Sequence, residues 1–150
     1  MLRLALSALL LMAGIQLFAQ DCFDFYKSHC CPSQSSFVYT VNEASVSFAF
    51  APGESKCVIV NLFQGKDYRI TICSDSLYSG VVSLVIQNDG GKVLYDNSTD
   101  DFSTNIEFSC RRNNETEFII TAPNRLDVVD GTKGCIGILI EDMVTPKIGF

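Results

Sequence analysis

Hydrophobic and polar residues alternate with a period of two along most of this chain, which is the pattern of strands with one buried face. The period is clearest at Tyr68, Ile70 and Ile72, which share one face, while Arg69 and Thr71 occupy the other. We therefore expect a half-buried strand over residues 67–73. The same pattern predicts further strands over residues 44–50, 57–63, 81–87, 92–95, 104–110, 117–122 and 135–140.

Turn residues separate these apolar runs. Pro52-Gly53 fits a type II turn, and Asp89-Gly90 fits a tight hairpin because both of its residue types tolerate positive φ. About eight short strands without helical repeats between them predict an all-β fold, a two-sheet sandwich of the jelly-roll type. A closed barrel is the alternative. The alternating apolar faces would meet between the two sheets and form the core.

The first residues of the chain break the strand pattern. Residues 1–19 combine Arg3 with an apolar run from Leu4 to Ile15 and end on a small residue, Ala19. This order is typical of a cleaved secretory signal peptide. The run is shorter than the roughly 20 apolar residues of a spanning helix, so no membrane span is expected after cleavage. The mature protein is expected to be secreted, in the periplasm or at the cell surface.

A cysteine-rich segment, residues 20–32, follows the signal peptide and carries aromatic residues at helix-like spacing. Asp21 is the candidate N-cap of a short N-terminal helix, and Pro32 would end that helix. We expect its cysteines to attach it to the sheets. Residues 20–150 then form a single β-sandwich domain in which residues 144–150 are an exposed tail.

All seven cysteines lie after the signal peptide, and an oxidising compartment makes disulfides their expected state. Three bridges with one free thiol fit this number, but the spacing leaves the pairing open. Cys73 and Cys110 lie within apolar strand patterns and are the best candidates for buried, unpaired cysteines. The candidates for disulfide formation are Cys22, Cys30, Cys31, Cys57, Cys73, Cys110 and Cys135.

Net charge narrows the choice of partner. Removal of residues 1–19 takes away one basic residue, Arg3, from 11 and none of the 17 acidic residues, so the formal charge changes from −6 to −7. This excess of negative charge argues against nucleic acid and against an anionic membrane surface as partners. The single basic doublet, Arg111-Arg112, is interpreted as the cap of a strand end.

Catalytic motifs are missing from the sequence. It contains no nucleophile elbow, phosphate loop, dinucleotide fingerprint or His-Glu-x-x-His helix, and His29 is the single histidine. Glu107 and Glu117, predicted on neighbouring strands, are the pair that carboxylate chemistry such as glycoside hydrolysis would need. Acids on a strand face are more often solvated, so we do not expect an enzyme.

One loop supplies oxygen ligands at high density. Residues 96–101 read Asp-Asn-Ser-Thr-Asp-Asp. Calcium takes roughly 6–8 oxygen ligands, so this loop is the candidate calcium site, although it lacks the spacing of an EF-hand. No other cofactor is indicated. The carboxylates of the candidate site belong to Asp96, Asp100 and Asp101.

The sequence offers possible sites for glycan attachment and for glycan binding. Asn97 and Asn114 each begin an N-glycosylation acceptor triplet, and Asn114 is expected to lie nearer to a loop tip. The chain has no Trp, the usual sugar platform, which leaves its tyrosines for that role wherever they are exposed. The tyrosines considered are Tyr39, Tyr78 and Tyr95.

The order of turns and strands resembles a known family. Pro52-Gly53-Glu54, the run from Gly65 to Ile72 and Asp89-Gly90-Gly91 are similar to bacterial prepeptidase C-terminal-type (PPC-like) β-sandwiches, over residues 44–122. The chain as a whole resembles small secreted bacterial proteins of unknown function. The resemblance implies a non-catalytic secreted module, in some cases cation-binding, that helps proteins to bind surfaces or polymers.

These observations favour a secreted, disulfide-supported binding or cell-surface interaction module. Its partner is expected to be an extracellular protein or a glycan, and its oligomeric state is left open. The alternative is a structural or self-associating envelope protein, which concentration-dependent assembly would indicate. A small carboxylate-dependent hydrolase is the third hypothesis.

Overall fold

The computed structural model describes residues 22–32, 34–79 and 81–146. The predicted signal peptide, residues 1–19, lies outside these residues. One short α-helix, α1 (Phe25–His29), precedes the strands within the described part of the chain. The strands are β1 Thr40–Val41, β2 Val46–Phe50, β3 Ser55–Leu62, β4 Lys66–Ser74, β5 Ser83–Asn88, β6 Val93–Asp96, β7 Asn105–Cys110, β8 Asn114–Thr121 and β9 Gly134–Val144.

These strands form two antiparallel sheets. In the first sheet, β9 pairs with β4, which in turn pairs with β7, and the other side of β9 pairs with β1 and β2. The second sheet has the order β3-β8-β5-β6. Most connections cross from one sheet to the other, so strands that follow each other in the chain usually lie in opposite sheets. The arrangement confirms the predicted all-β, two-sheet sandwich.

The core lies between the inner faces of the two sheets. In β8 the alternation is regular, because Thr116, Phe118 and Ile120 are buried while the residues between them are partly exposed. From the first sheet, Tyr68 and Ile70 meet them with no exposed surface. Full burial of an apolar side chain of this size contributes about 1.5–3 kcal/mol to stability, so these alternating positions hold the sheets together.

Two strands, β8 and β9, extend three or more residues past their predicted bounds. β8 begins at Asn114, opposite Leu62 of β3, and β9 continues to Val144, opposite Lys66 of β4. The added residues are mostly polar or exposed, so hydropathy does not reveal them, and pairing with a neighbouring strand extends each element instead. Val144, expected in an exposed tail, ends a strand, and residues 147–150 lie outside the described residues.

The outer face of the first sheet is also covered, so the prediction that β4 is half-buried is wrong. Arg69 and Thr71, on the face expected to meet solvent, are 6% and 3% exposed. Helix α1 lies on this face, where the Tyr26 N–H donates to Ser47 Oγ at 2.7 Å. Gly137 permits the close approach, because a Cβ atom there would come within 3.0 Å of the Tyr26 backbone.

Helix α1 begins later than the sequence suggests. The residue before it is Asp24, in a left-handed conformation with φ of 60° and with no side-chain cap bond. Asp24 instead pairs with Lys27 at 2.9 Å across one helical turn. Asp21, the predicted N-cap, lies outside the described residues.

Two disulfides hold this N-terminal segment on the sheet. Cys22 bonds to Cys135 of β9, and Cys30 bonds to Cys73 of β4. They confirm that the segment is tied to the sheet body. Cys73, a disulfide candidate that could also have been a buried unpaired cysteine, is bonded because α1 carries Cys30 onto the outer face of β4.

The remaining three cysteines are free, so the protein has two bridges instead of the three that its seven cysteines would allow. Cys31 and Cys57 are exposed, and Cys110 is half-buried at the end of β7. The three lie on the N-terminal segment, the second sheet and the far edge of the first sheet. Each therefore belongs to a separate region of the fold, which explains why no third pair forms.

Candidate functional site

The sandwich is open along the side where β6 and β7 are the outermost strands. Within the described residues, β6 pairs only with β5 and β7 only with β4. Between them an inner pocket of about 280 Å³ reaches from the surface to core residues of the second sheet, and Leu94 and Phe108 stand on its two sides. Leu62 and Ile86 form part of its floor.

A larger cleft of about 510 Å³ lies at one end of this opening. We call it the basic cleft, because three of its lining residues are cationic and none is acidic. The β7–β8 turn and the β5–β6 hairpin supply the cations, and both sheets supply apolar side chains. Its charged and apolar residues are Lys92, Arg111, Arg112, Leu62, Leu94 and Phe108.

The cations of the basic cleft differ from most others in the protein because they have no acidic partner. Elsewhere, five cations lie 2.6–2.9 Å from a carboxylate: Lys27, Lys56, Lys66, Arg69 and Arg125. Among the other cations in the described ranges, Lys92, Arg111, Arg112 and Lys133, no ion pair is found. Three of these four line the same cleft, in a chain whose formal charge is −6.

Hydrogen bonds place the two arginines at the mouth of the cleft. Arg111 and Arg112 follow β7 directly, and the Cys110 thiol donates to the Arg112 carbonyl at 2.9 Å. The next residue, Asn113, accepts the backbone N–H of Gln64 at 2.8 Å. The doublet therefore stands at a strand end, as predicted, but it lines a cleft instead of serving only as a cap.

Lys92 reaches the same cleft from the β5–β6 hairpin. The Lys92 N–H donates to Asn88 Oδ1 at 2.8 Å, and the Asn88 N–H donates to the Lys92 carbonyl at 3.0 Å. This turn follows from the Asp-Gly-Gly sequence that predicted a hairpin. The sequence pattern did not predict the grouping of Lys92 with Arg111 and Arg112. Lys92 lies far from the arginines in the chain, and only the folded sandwich brings them together.

Within the described residues, no strand pairs with the edge of β7 that faces away from β4, beside the cleft. The Ile72 N–H donates to the Thr104 carbonyl at 2.8 Å. This bond shows that Thr104, and every second residue after it, directs its backbone groups toward β4. Successive residues of a strand direct their backbone groups to opposite sides. The residues whose N–H and C=O groups point away from β4 are therefore Asn105, Glu107 and Ser109.

On the outer side of β7 lies a second groove, of about 530 Å³, which we call the outer groove. Its aromatic residues are Phe37, Tyr39 and Phe108, and its charged residues are Asp67 and Glu107. The Tyr39 ring lies over the Arg69 guanidinium at 4.3 Å, and its partial burial raises the pKa of its hydroxyl. The outer groove is thus apolar and acidic, opposite in sign to the basic cleft.

The predicted calcium loop, residues 96–101, forms a short 3-10 turn. The Asp96 carboxylate accepts the Ser98 N–H at 2.9 Å, and hydrogen bonding by Ser98 lowers the pKa of that carboxyl group. Asp100 accepts from the Tyr95 hydroxyl at 3.3 Å. The described residues include no group of three His, Cys, Asp or Glu positioned to hold a metal. Calcium binding stays a prediction for Asp96, Asp100 and Asp101, to be tested by melting in calcium and in EDTA.

Asn97, in the same turn, is completely buried. Its Oδ1 accepts the Leu84 N–H at 2.8 Å, and its Nδ2 donates to the carbonyls of Val82 at 3.0 Å and Ser103 at 3.3 Å. The amide is therefore fully used inside the fold and is not an accessible glycan acceptor there. Asn114, expected near a loop tip, is half-buried and is the first residue of β8, directly after the β7–β8 turn.

The predicted carboxylate pair is not brought together. β7 and β8 follow each other in the chain but belong to different sheets, so the prediction of neighbouring strands is wrong. Glu107 points outward from the first sheet, and Glu117 lies on the outer face of the second, where it accepts from Gln87 Nε2 at 2.6 Å. Packed sheets are about 10 Å apart, and both side chains point away from the interface, so they cannot share one substrate.

The tyrosines considered as sugar platforms have other positions. Tyr78 is buried, and its hydroxyl donates to the Phe50 carbonyl at 2.7 Å. Tyr39 covers Arg69, and Tyr95 is half-buried beside the core. Tyr78 is therefore a core residue.

None of the described helices has the length and apolar character needed to cross a membrane. No protein-family model and no curated protein matches this chain. Among solved structures, the chain is similar to the crystal structure of Aeromonas hydrophila PliG, a periplasmic lysozyme inhibitor of g-type lysozyme. The two share 10% identity with a TM-score of 0.48, over 75% of this chain and 94% of that chain. A likeness of this size says nothing about what this chain binds.

Proposed function

We propose that this protein is an exported, non-catalytic binding module whose basic cleft engages an acidic site on an extracellular protein. One observation carries the proposal: among the described residues, Lys92, Arg111 and Arg112 line a single cleft without ion pairs and without an acidic residue. Five other cations of the protein are neutralised by nearby carboxylates. Unpaired arginines are suited to carboxylate recognition, because the planar guanidinium binds both oxygens at once.

The apolar part of the cleft favours a protein over an anionic glycan. Leu62, Leu94 and Phe108 lie beside the cations. A protein segment supplies carboxylates and apolar side chains together, which is the usual composition of a protein interface. A sulfated polysaccharide supplies the charge with little apolar surface.

Export and lack of catalysis rest on separate observations. The two disulfides fit an oxidising compartment, and the apolar leader in residues 1–19 is typical of exported proteins. The proposal of a non-catalytic module is supported by Glu107 and Glu117, which face opposite surfaces of the sandwich.

The test is charge reversal in the cleft. The triple variant Lys92→Glu/Arg111→Glu/Arg112→Glu is compared with Lys133→Glu, which reverses an unpaired cation outside the cleft. The probe is a fluorescein-labelled octapeptide of alternating Val and Glu, and a Val-Lys octapeptide and heparin serve as reference probes. We expect the triple variant to lose at least about tenfold in affinity for the acidic peptide, while Lys133→Glu retains wild-type affinity.

Salt dependence provides a second measure of the same contact. Affinity for the acidic peptide should fall as sodium chloride rises, because exposed charges are screened over about 10 Å at 0.1 M salt. Equal affinity of the wild type and the triple variant for the acidic peptide would exclude the basic cleft as its site. Binding of heparin without binding of the acidic peptide would replace the protein partner with a glycan.

A further inference from the structure

The free edge of β7 lies directly beside the basic cleft. The backbone groups of Glu107 and Ser109 point away from β4, and no described strand pairs with that side. Farther from the cleft, the Asn105 carbonyl accepts the Ser103 hydroxyl at 3.0 Å. The unpaired stretch of the edge is thus the part nearest to Arg111 and Arg112.

β7 lacks most of the features that usually protect an edge strand, and Glu107 is its one charged residue. Proteins block such edges with Lys or Pro on the strand, with bulges or with a covering segment. The strand Asn105–Cys110 contains neither Lys nor Pro, and its pairing with β4 runs without a bulge. An unprotected edge of this kind is a template for an added strand.

Three cavities meet along this edge. Phe108 belongs to the lining of the basic cleft, the inner pocket and the outer groove. Side chains of an added strand would alternate between the two faces of the sheet. Those pointing inward would enter the inner pocket against Leu94 and Ile86, and those pointing outward would lie in the outer groove against Phe37.

We infer that the acidic segment of the partner binds in extended form as an additional strand of the first sheet, beside β7. Its backbone pairs with Glu107 and Ser109, its inward side chains are apolar, and its acidic residues lie in the basic cleft. This inference rests on the proposed function and specifies the kind of segment that is recognised. The occupant is a segment of another protein, because charge complementarity with Lys92, Arg111 and Arg112 requires acidic residues.

Backbone methylation of the probe tests strand addition separately from charge. The parent probe is an acetylated, amidated peptide with two Glu residues followed by alternating Val and Thr. Two analogues carry N-methyl groups at its odd or at its even positions, which removes the backbone donors on one side of the strand only. We expect one analogue to lose at least about tenfold in affinity and the other to bind like the parent peptide, because only one side of an added strand pairs with β7.

A proline substitution provides the matching change in the protein. Ser109→Pro removes an N–H that points away from β4, so the β4–β7 ladder is kept. Ile59→Pro on β3, the edge strand of the second sheet opposite β6, is the control for proline on an edge strand. We expect Ser109→Pro to lose at least about tenfold in affinity for the parent peptide and Ile59→Pro to bind it like the wild type. Thermal melting establishes that each variant is folded. If Ser109→Pro does not fold, the methylated peptides still test strand addition on the wild-type protein.

Hydrogen exchange locates the pairing. The amides of Glu107 and Ser109 should exchange more slowly once the parent peptide is bound, whereas the Phe108 amide, which faces β4, should change little. Slower exchange at the outer strand β3 instead would place the added strand elsewhere and overturn the inference.

The remaining outcomes separate this inference from the proposed function. If both methylated peptides bind like the parent while the triple charge variant does not bind, strand addition is wrong and the proposed function stands. If no acidic peptide binds the wild type, both are wrong. If sedimentation shows a wild-type dimer that Ser109→Pro converts to a monomer, a second copy occupies β7, and the self-associating alternative replaces the acidic partner.

Discussion

Arg69 Nε lies 2.8 Å from Glu141 Oε2 on the outer face of the first sheet, and the two side chains are only 7% and 9% exposed. The Tyr39 ring covers the guanidinium. Tyr39 thus covers this charged pair, while the disulfide-bonded N-terminal segment lies on the same face of the sheet.

Removal of the carboxylate from this pair should strongly destabilise the protein. Glu141→Gln leaves the Arg69 charge in a desolvated position, and loss of one partner of a buried pair costs about 3–5 kcal/mol. The double variant Arg69→Met/Glu141→Leu should lose less, because it removes both charges together. Urea unfolding measures the loss of stability in the single and the double variant. A single variant more stable than the double would contradict the assignment, and Asp127→Asn, in an exposed pair, should leave the midpoint unchanged.

The disulfides should contribute unequally to stability. Cys22–Cys135 joins residues 113 apart and Cys30–Cys73 residues 43 apart. In the chain-entropy treatment, these loops correspond to about 5 and about 4 kcal/mol. We expect Cys22→Ala/Cys135→Ala to destabilise the protein more than Cys30→Ala/Cys73→Ala in urea unfolding. Cys31→Ser and Cys57→Ser, at free thiols, should leave the midpoint unchanged; a loss there equal to that of a bridge would point to different pairing.

Any substitution that removes the Asn97 amide should destabilise the protein. Asn97→Ala leaves the Leu84 N–H and the Val82 carbonyl without their partner, and an unsatisfied buried group costs about 1–3 kcal/mol. Asn97→Asp keeps the acceptor but loses the donor, so its destabilisation should ease as acid protonates the new carboxyl group. Denaturant unfolding at neutral and acidic pH checks both. Equal stability of Asn97→Ala and the wild type would show that water satisfies these groups instead.

Asp142 should contribute to acid unfolding. Its burial favours a higher pKa, but hydrogen bonds from Lys66 Nζ at 2.6 Å and Asn42 Nδ2 at 2.6 Å outweigh burial and hold the pKa of the carboxyl below its ordinary value of 3.8. The stabilisation is therefore present above the ordinary pKa and is lost as pH falls through the lower folded value. We expect Asp142→Asn to show a smaller loss of stability on acidification than the wild type. Identical pH profiles would contradict this role.

The strands are more predictable from the sequence than the candidate site. Alternation at Tyr68, Ile70 and Ile72 correctly identified the core face of β4, because core burial depends on local side-chain order. The local pattern did not predict the burial of Arg69 and Thr71, because Tyr39 covers Arg69 and the Cys30 end of the N-terminal segment lies against Thr71. Both covering residues are distant from β4 in sequence. The prediction that Glu107 and Glu117 lie on neighbouring strands was wrong for a similar reason, because the local pattern does not show which connections cross between the sheets.

The chain by itself determined the alternating strands, the turns between them and the all-β sandwich, since each follows from the period and turn preferences of residues close in sequence. Only the tertiary structure decided the cysteine pairs, the covered outer face and the grouping of Lys92 with Arg111 and Arg112. These features join residues that are far apart in the chain, and their distances depend on the order in which the strands pair. Local side-chain preference does not encode that order, and the long-range packing of two sheets establishes it.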